Sequence, residues 1–148
     1  MKALALCTIC LVAEGCTVLD SLASVRSQRK ALRSMFDHAF DSYMTYAFPA
    51  DILHPISCSP STPPLVPLFP PDFILGNYSL TLIDALDSLL VFNRYRDFQT
   101  YAWYLSAHLS FDHNIEVSVF ETGIRVLGGL LGGYVGGKEL DLDVVASR

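Results

Sequence analysis

Glu121 and Arg125 are the residues of this chain best placed to do chemistry. They stand four apart in Ser118-Val119-Phe120-Glu121-Thr122-Gly123-Ile124-Arg125-Val126-Leu127-Gly128-Gly129-Leu130-Leu131, at the head of an apolar run with almost no other charge. On a helix that spacing brings the carboxylate and the guanidinium to one face, where they can pair. The same letters also fit a bland reading. Ser118-x-x-Glu121 is a capping-box pattern, in which the N3 carboxylate reaches back to the N-cap amide. Asp84 and Asp87 offer a second acidic pair, three apart on one helical face. Such a pair is either part of a site or a solvated face.

Other reactive residues carry less. His108 and His113 are five apart, which is wrong for two ligands on one helical face, and no third ligand lies close by. The sequence therefore implies no zinc site and assigns no metal ligand. Cys7-x-x-Cys10 lacks the strand–turn context that a redox pair needs. Cys16 lies near a potential cleavage region, and Cys58 has no downstream cysteine to pair with. Asn77-Tyr78-Ser79 is an N-glycosylation acceptor, meaningful only if the chain enters the secretory route.

The elements that must position these residues are helical. The chain has 148 residues and a formal net charge of −5, so it is sized for one domain or part of one. Without a basic patch, nucleic acid is excluded as a partner. Met1-Lys2 followed by the charge-free run 3–13 and then small residues fits a secretory signal peptide over residues 1–20. A buried N-terminal helix is the alternative. The run is short for a membrane span.

Apolar residues at three- and four-residue spacing predict helices over 25–48, 79–92, 94–109 and 119–135. Leu32, Met35, Phe36, Ala39, Phe40, Tyr43 and Phe48 form the first apolar face. Leu82, Ile83, Leu86, Leu89 and Leu90 form the second, with Thr81-x-x-Asp84 as a capping box at its start. Phe98, Tyr101, Ala102, Leu105 and Leu109 form the third. Glycine doublets at 128–129, 132–133 and 136–137 predict close approach by a neighbouring helix. Residues 59–75 contain six prolines, which rules out a helix or inner strand and predicts an extended loop. No strand-like alternation of useful length is present. The class is all-α.

Three segments, taken together, resemble one family. They are Met35-Phe36-Asp37-His38-Ala39-Phe40-Asp41-Ser42-Tyr43 with Ala47-Phe48-Pro49, then Leu80-Thr81-Leu82-Ile83-Asp84-Ala85-Leu86-Asp87-Ser88-Leu89, then the stretch from Val119 to Leu131. Their order and separation resemble the N-terminal part of the class I α-1,2-mannosidases, glycoside hydrolase family 47. Gly76-Asn77-Tyr78-Ser79 and Phe48-Pro49 are closest to the ER degradation-enhancing α-mannosidase-like branch. The resemblance covers residues 31–134.

It implies the first helical hairpins of an (α/α)7 barrel, incomplete in this chain, with residues 25–148 as the N-terminal part of the domain. It implies calcium-dependent, inverting trimming of α-1,2-linked mannose from N-glycans of misfolded glycoproteins in ER-associated degradation. The setting would be the endoplasmic reticulum, lumen or membrane, with ER chaperone or oxidoreductase partners. By the same resemblance Glu121 is the general acid, Arg125 lines the sugar pocket, and Asp84 and Asp87 support substrate binding. The catalytic base and the calcium ligand are expected beyond residue 148, so the chain is expected to be inactive alone. Gly132-Gly133 stands where the family usually has Ser-Ala. A different class remains open, a non-catalytic protein of the secretory pathway that binds high-mannose glycans or misfolded glycoproteins.

Overall fold

The computed structural model describes residues 2–61 and 76–142, and for residues 2–22 the backbone alone. The elements are α1 (Lys2–Tyr46), β1 (Leu53–His54), β2 (Ser59–Pro60), α2 (Leu80–Asp84), α3 (Leu86–Val91), α4 (Tyr95–His108), α5 (Val119–Glu121), a π-helical segment (Thr122–Leu127) and α6 (Gly128–Glu139). Among the described residues the fold is all-α apart from one two-residue antiparallel ladder, Leu53 against Pro60 and His54 against Ser59. It divides into two compact units, residues 1–39 and 40–148.

The first unit is helical from Lys2. The helix predicted from residue 25 therefore starts earlier, inside the segment read as a signal peptide. The side chains of residues 2–22, with Cys7, Cys10 and Cys16, lie outside the described residues, as does most of the proline-rich stretch. No helix among the described residues is long and apolar enough to cross a membrane. Leu32 and Met35 are exposed, so the first part of the predicted apolar face is not a core face. Spacing marks a stripe, but only a packed neighbour can bury it.

In the second unit the end of α1 contributes Phe40 and Tyr43, and Ala47 follows them into the core. The helix stops at Tyr46, just ahead of Pro49, as a proline at that distance requires. The predicted helix over 79–92 is two helices, because the backbone relaxes at Ala85 (φ −93°, ψ −4°). Its core face is as expected: Leu82, Ile83, Leu86, Leu89 and Leu90 are all buried. At the end of α3, Asn93 is left-handed (φ 59°). Its N–H donates to Leu90 O at 3.0 Å and that of Arg94 to Leu89 O at 2.8 Å, a Schellman closure that satisfies the last carbonyls. The next helix, α4, buries Phe98 and Leu105. Arg94 ties its start to α1, pairing with Asp97 at 2.6 Å and with Asp41 at 2.8 Å, its guanidinium 5.0 Å from the centre of the Phe40 ring.

The glycine-rich α6 packs on α2 and α3 as its sequence predicts. A Cβ on Gly129 would fall 2.7 Å from the Ile83 carbonyl oxygen, and one on Gly133 3.1 Å from Leu86 Cβ. The first cannot be occupied without displacing backbone, and the second is tighter than ordinary contact, so the Leu86 side chain would have to give by a few tenths of an ångström. The seam is thus set by missing side chains, and it brings the acid-bearing faces of α2 and α3 beside the segment that carries Glu121 and Arg125.

Candidate functional site

Three of the residues singled out above meet across this seam. Arg125 Nε donates to Glu121 Oε2 at 2.7 Å, and Arg125 Nη1 donates to Asp84 Oδ2 at 3.1 Å. One guanidinium thereby joins carboxylates from two helical segments. All three side chains are partly open to solvent, 42% for Arg125, 36% for Asp84 and 30% for Glu121, so a polar ligand could reach them. The hydrogen bond that Arg125 donates to Glu121, then that to Asp84, pushes the guanidinium above its ordinary value, so it stays charged throughout the useful pH range.

The local backbone explains this arrangement. Ser118 Oγ accepts from the Glu121 N–H at 3.3 Å, which starts α5. That is the first half of the predicted capping box. The Glu121 carboxylate itself turns to Arg125, not to a capping role. The helix then widens into π geometry over Thr122–Leu127, where the Gly128 N–H reaches back to Gly123 O. Such widened turns are frequent at functional sites. Nothing in the periodicity of the sequence predicted one here.

Asp87 lies on the same seam but outside the Arg125 cluster. A Cβ on Gly132 would sit 3.6 Å from Asp87 Oδ2, ordinary contact with no clash. Ser88 Oγ is 3.3 Å from Asp87 Oδ1. The capping box predicted at Thr81-x-x-Asp84 does not form. The N-cap is Ser79, left-handed at φ 58°, and Thr81 Oγ1 donates to Asp51 O at 2.7 Å. The physical reason is that a tertiary acceptor takes Thr81 while Arg125 takes Asp84. Asn77 is exposed at the lead-in to α2. Cys58 is exposed, with Sγ 3.8 Å from Pro55 O.

Sequence reasoning missed Asp51, placed in a short irregular link. It is 2% exposed. Its carboxylate accepts from the N–H groups of Asn77 (2.6 Å), Tyr78 (2.7 Å) and Leu80 (3.1 Å). Its carbonyl accepts from Thr81 N at 3.0 Å. Asp51 thus supplies the acceptors that the first turn of α2 lacks. The available signal was a lone acid in an apolar link, ahead of a helix whose N-cap had no acidic or amide side chain.

Among the described residues no group of three or more His, Cys, Asp or Glu side chains is arranged to hold a metal ion. The cavity of about 480 Å³ bounded by Leu86, Phe98, Leu105, Leu130 and Tyr134 is mostly apolar, with Lys138 and Asp141 also in its lining, and does not include the Arg125 cluster.

Residues 35–141 match the model of glycosyl hydrolase family 47. The chain is 45% identical over 136 residues to ER degradation-enhancing alpha-mannosidase-like protein 3 of Xenopus laevis, covering 84% of this chain and 14% of that protein. It is 40% identical over 118 residues to ER degradation-enhancing alpha-mannosidase-like protein 2 of Mus musculus, 80% of this chain and 18% of the relative. Alpha-mannosidase I MNS4 of Arabidopsis thaliana is 44% identical over 107 residues, 72% and 15%. No solved structure matches. The chain belongs to glycosyl hydrolase family 47, a glycosidase family, and spans less than a fifth of the length of these relatives.

Proposed function

We propose that this chain carries one half of an inverting acid–base site that trims α-1,2-linked mannose from the N-glycans of misfolded glycoproteins in the endoplasmic reticulum, within a larger (α/α)7 domain. The observation behind this reading is the Glu121–Arg125–Asp84 cluster. It presents a partly exposed carboxylate whose position is fixed from two helical segments by one guanidinium. The names of the relatives, alpha-mannosidase and ER degradation-enhancing alpha-mannosidase-like protein, support the substrate class and the compartment.

In this reading Glu121 protonates the leaving glycosidic oxygen, and Arg125 holds its carboxylate in place while donating to sugar hydroxyls. Asp84 fixes the far side of that guanidinium, and Asp87 binds substrate from the adjoining turn. Inversion needs a second carboxylate about 6.5–9.5 Å away to activate water. That base, and the calcium ligand, are assigned beyond residue 148, so the 148-residue chain alone releases no mannose. ER chaperone or oxidoreductase partners belong to the same degradative role.

The test is mannose release from an α-1,2-linked oligomannose, with calcium, by a complete family domain containing this segment. Glu121→Gln should lower the rate by about 10²–10⁴-fold, the usual worth of a positioned acid. Equal rates would remove Glu121 from the chemistry. A second reading is favoured by Val119 and Phe120, 86% and 70% exposed beside Glu121. Large apolar side chains there suit a non-catalytic protein that binds high-mannose glycans or misfolded glycoproteins. Binding of high-mannose glycoprotein with no hydrolysis by the complete domain would establish it.

A further inference from the structure

The acceptor Asn77-Tyr78-Ser79 is a modification motif that the glycan-processing cluster does not use, and the fold closes it. The motif requires a hydroxyl two residues after the asparagine, so the transferase must read that hydroxyl. Here Ser79 is 6% exposed, and its Oγ donates to Pro49 O at 2.7 Å. The backbone is equally committed. Asn77 and Ser79 are both left-handed, at φ 59° and 58°. The N–H groups of Asn77 and Tyr78 are held by the two oxygens of Asp51. Tyr78 is buried against Phe111 and His113, with ring centres 5.3 and 5.7 Å away. Only the Asn77 side chain is exposed. The product of transfer therefore fits the folded turn, whereas the recognition step does not.

We propose that Asn77 is an N-glycan acceptor only while the Asp51 clamp is open, so that glycan occupancy at Asn77 is decided by the order of transfer and folding. In the transfer the Asn77 amide nitrogen forms a bond to the anomeric carbon of a lipid-linked oligosaccharide. The lipid pyrophosphate leaves with the electron pair, and the amide gives up one proton. The donors that Asp51 gathers from this turn all lie at or before Thr81, and Asp51 emerges from the ribosome well before Asn77. The two events therefore compete as soon as the turn is complete. The proposal rests on the reading above only in that the chain must meet a transferase in the secretory route.

The test uses unglycosylated 148-residue chain made in bacteria, a purified oligosaccharyltransferase and a lipid-linked oligosaccharide. A peptide of residues 76–84 is the open control. Wild-type chain should accept glycan at least about ten-fold more slowly than the peptide, because only the opened fraction reacts. Asp51→Ala, which removes the carboxylate that holds the Asn77 and Tyr78 N–H groups, should be glycosylated at least about three-fold faster than wild type, since its acceptor is open more of the time. Asn77→Gln is the blank for the assay. Wild-type chain glycosylated as fast as the peptide, or Asp51→Ala as slow as wild type, would overturn the proposal. A separate import assay with microsomes, using the chain's own N-terminus and an unrelated signal sequence, tests the secretory reading. Import by the unrelated sequence alone would count against that reading and leave the acceptor result intact.

Discussion

Two acids in this protein are held in opposite ways. Asp51 is buried, and three backbone N–H groups from the lead-in to α2 surround its carboxylate. Glu121 is part-exposed, and its carboxylate is held by a mobile class of partner, the side chain of Arg125, itself shared with Asp84. A buried carboxylate satisfied by backbone is costly to disturb and cannot meet a ligand. One at the surface, oriented by a guanidinium, contributes little to stability and is free to exchange partners. The difference separates a residue that builds the site from one that can work in it.

That contrast can be broken most directly at Asp51. Asp51→Ala strands three donors and should cost about 3–5 kcal/mol in chemical denaturation. A loss below about 1 kcal/mol would mean that water replaces the carboxylate and that the clamp is not structural. The seam that backs both regions comes next. Gly129→Ala pushes a methyl into the Ile83 carbonyl and should cost about 1–3 kcal/mol, whereas Gly132→Ala, which meets only Asp87 at 3.6 Å, should be neutral or stabilising by up to about 1 kcal/mol. Equal effects at the two glycines would show that the seam adjusts freely.

Tyr43 sharpens the comparison through pH. Burial, and then the charge of Asp51, push its phenol above the ordinary value of 10.0. The sign follows from linkage. The raised folded value means full stability below the unfolded value of 10.0 and loss as pH rises above it, at up to about 1.4 kcal/mol per pH unit. Denaturation from pH 9 to 11 should show this slope in wild type and a shallower one in Tyr43→Phe, where Tyr78 and Tyr101, also raised by burial, still contribute. The smallest effect belongs to the exposed acid. Glu121→Gln should change stability by less than about 1 kcal/mol, and less again in high salt. A larger, salt-independent loss would make Glu121 structural, as the capping-box reading has it.

The sequence by itself determined the helical class, the buried face of α2 and α3, the glycine seam and the pairing of Glu121 with Arg125. All of these depend on spacing along a helix, and spacing is local. Tertiary structure decided the rest. It gave Arg125 a second acid in Asp84, 41 residues away, and made Thr81 a donor to Asp51 where a capping box was expected. It also left Leu32 and Met35 exposed on a face that the spacing marked as apolar. The physical reason is common to these cases. A polar side chain bonds whichever partner the packed chain brings nearest, and an apolar stripe is buried only where another element covers it.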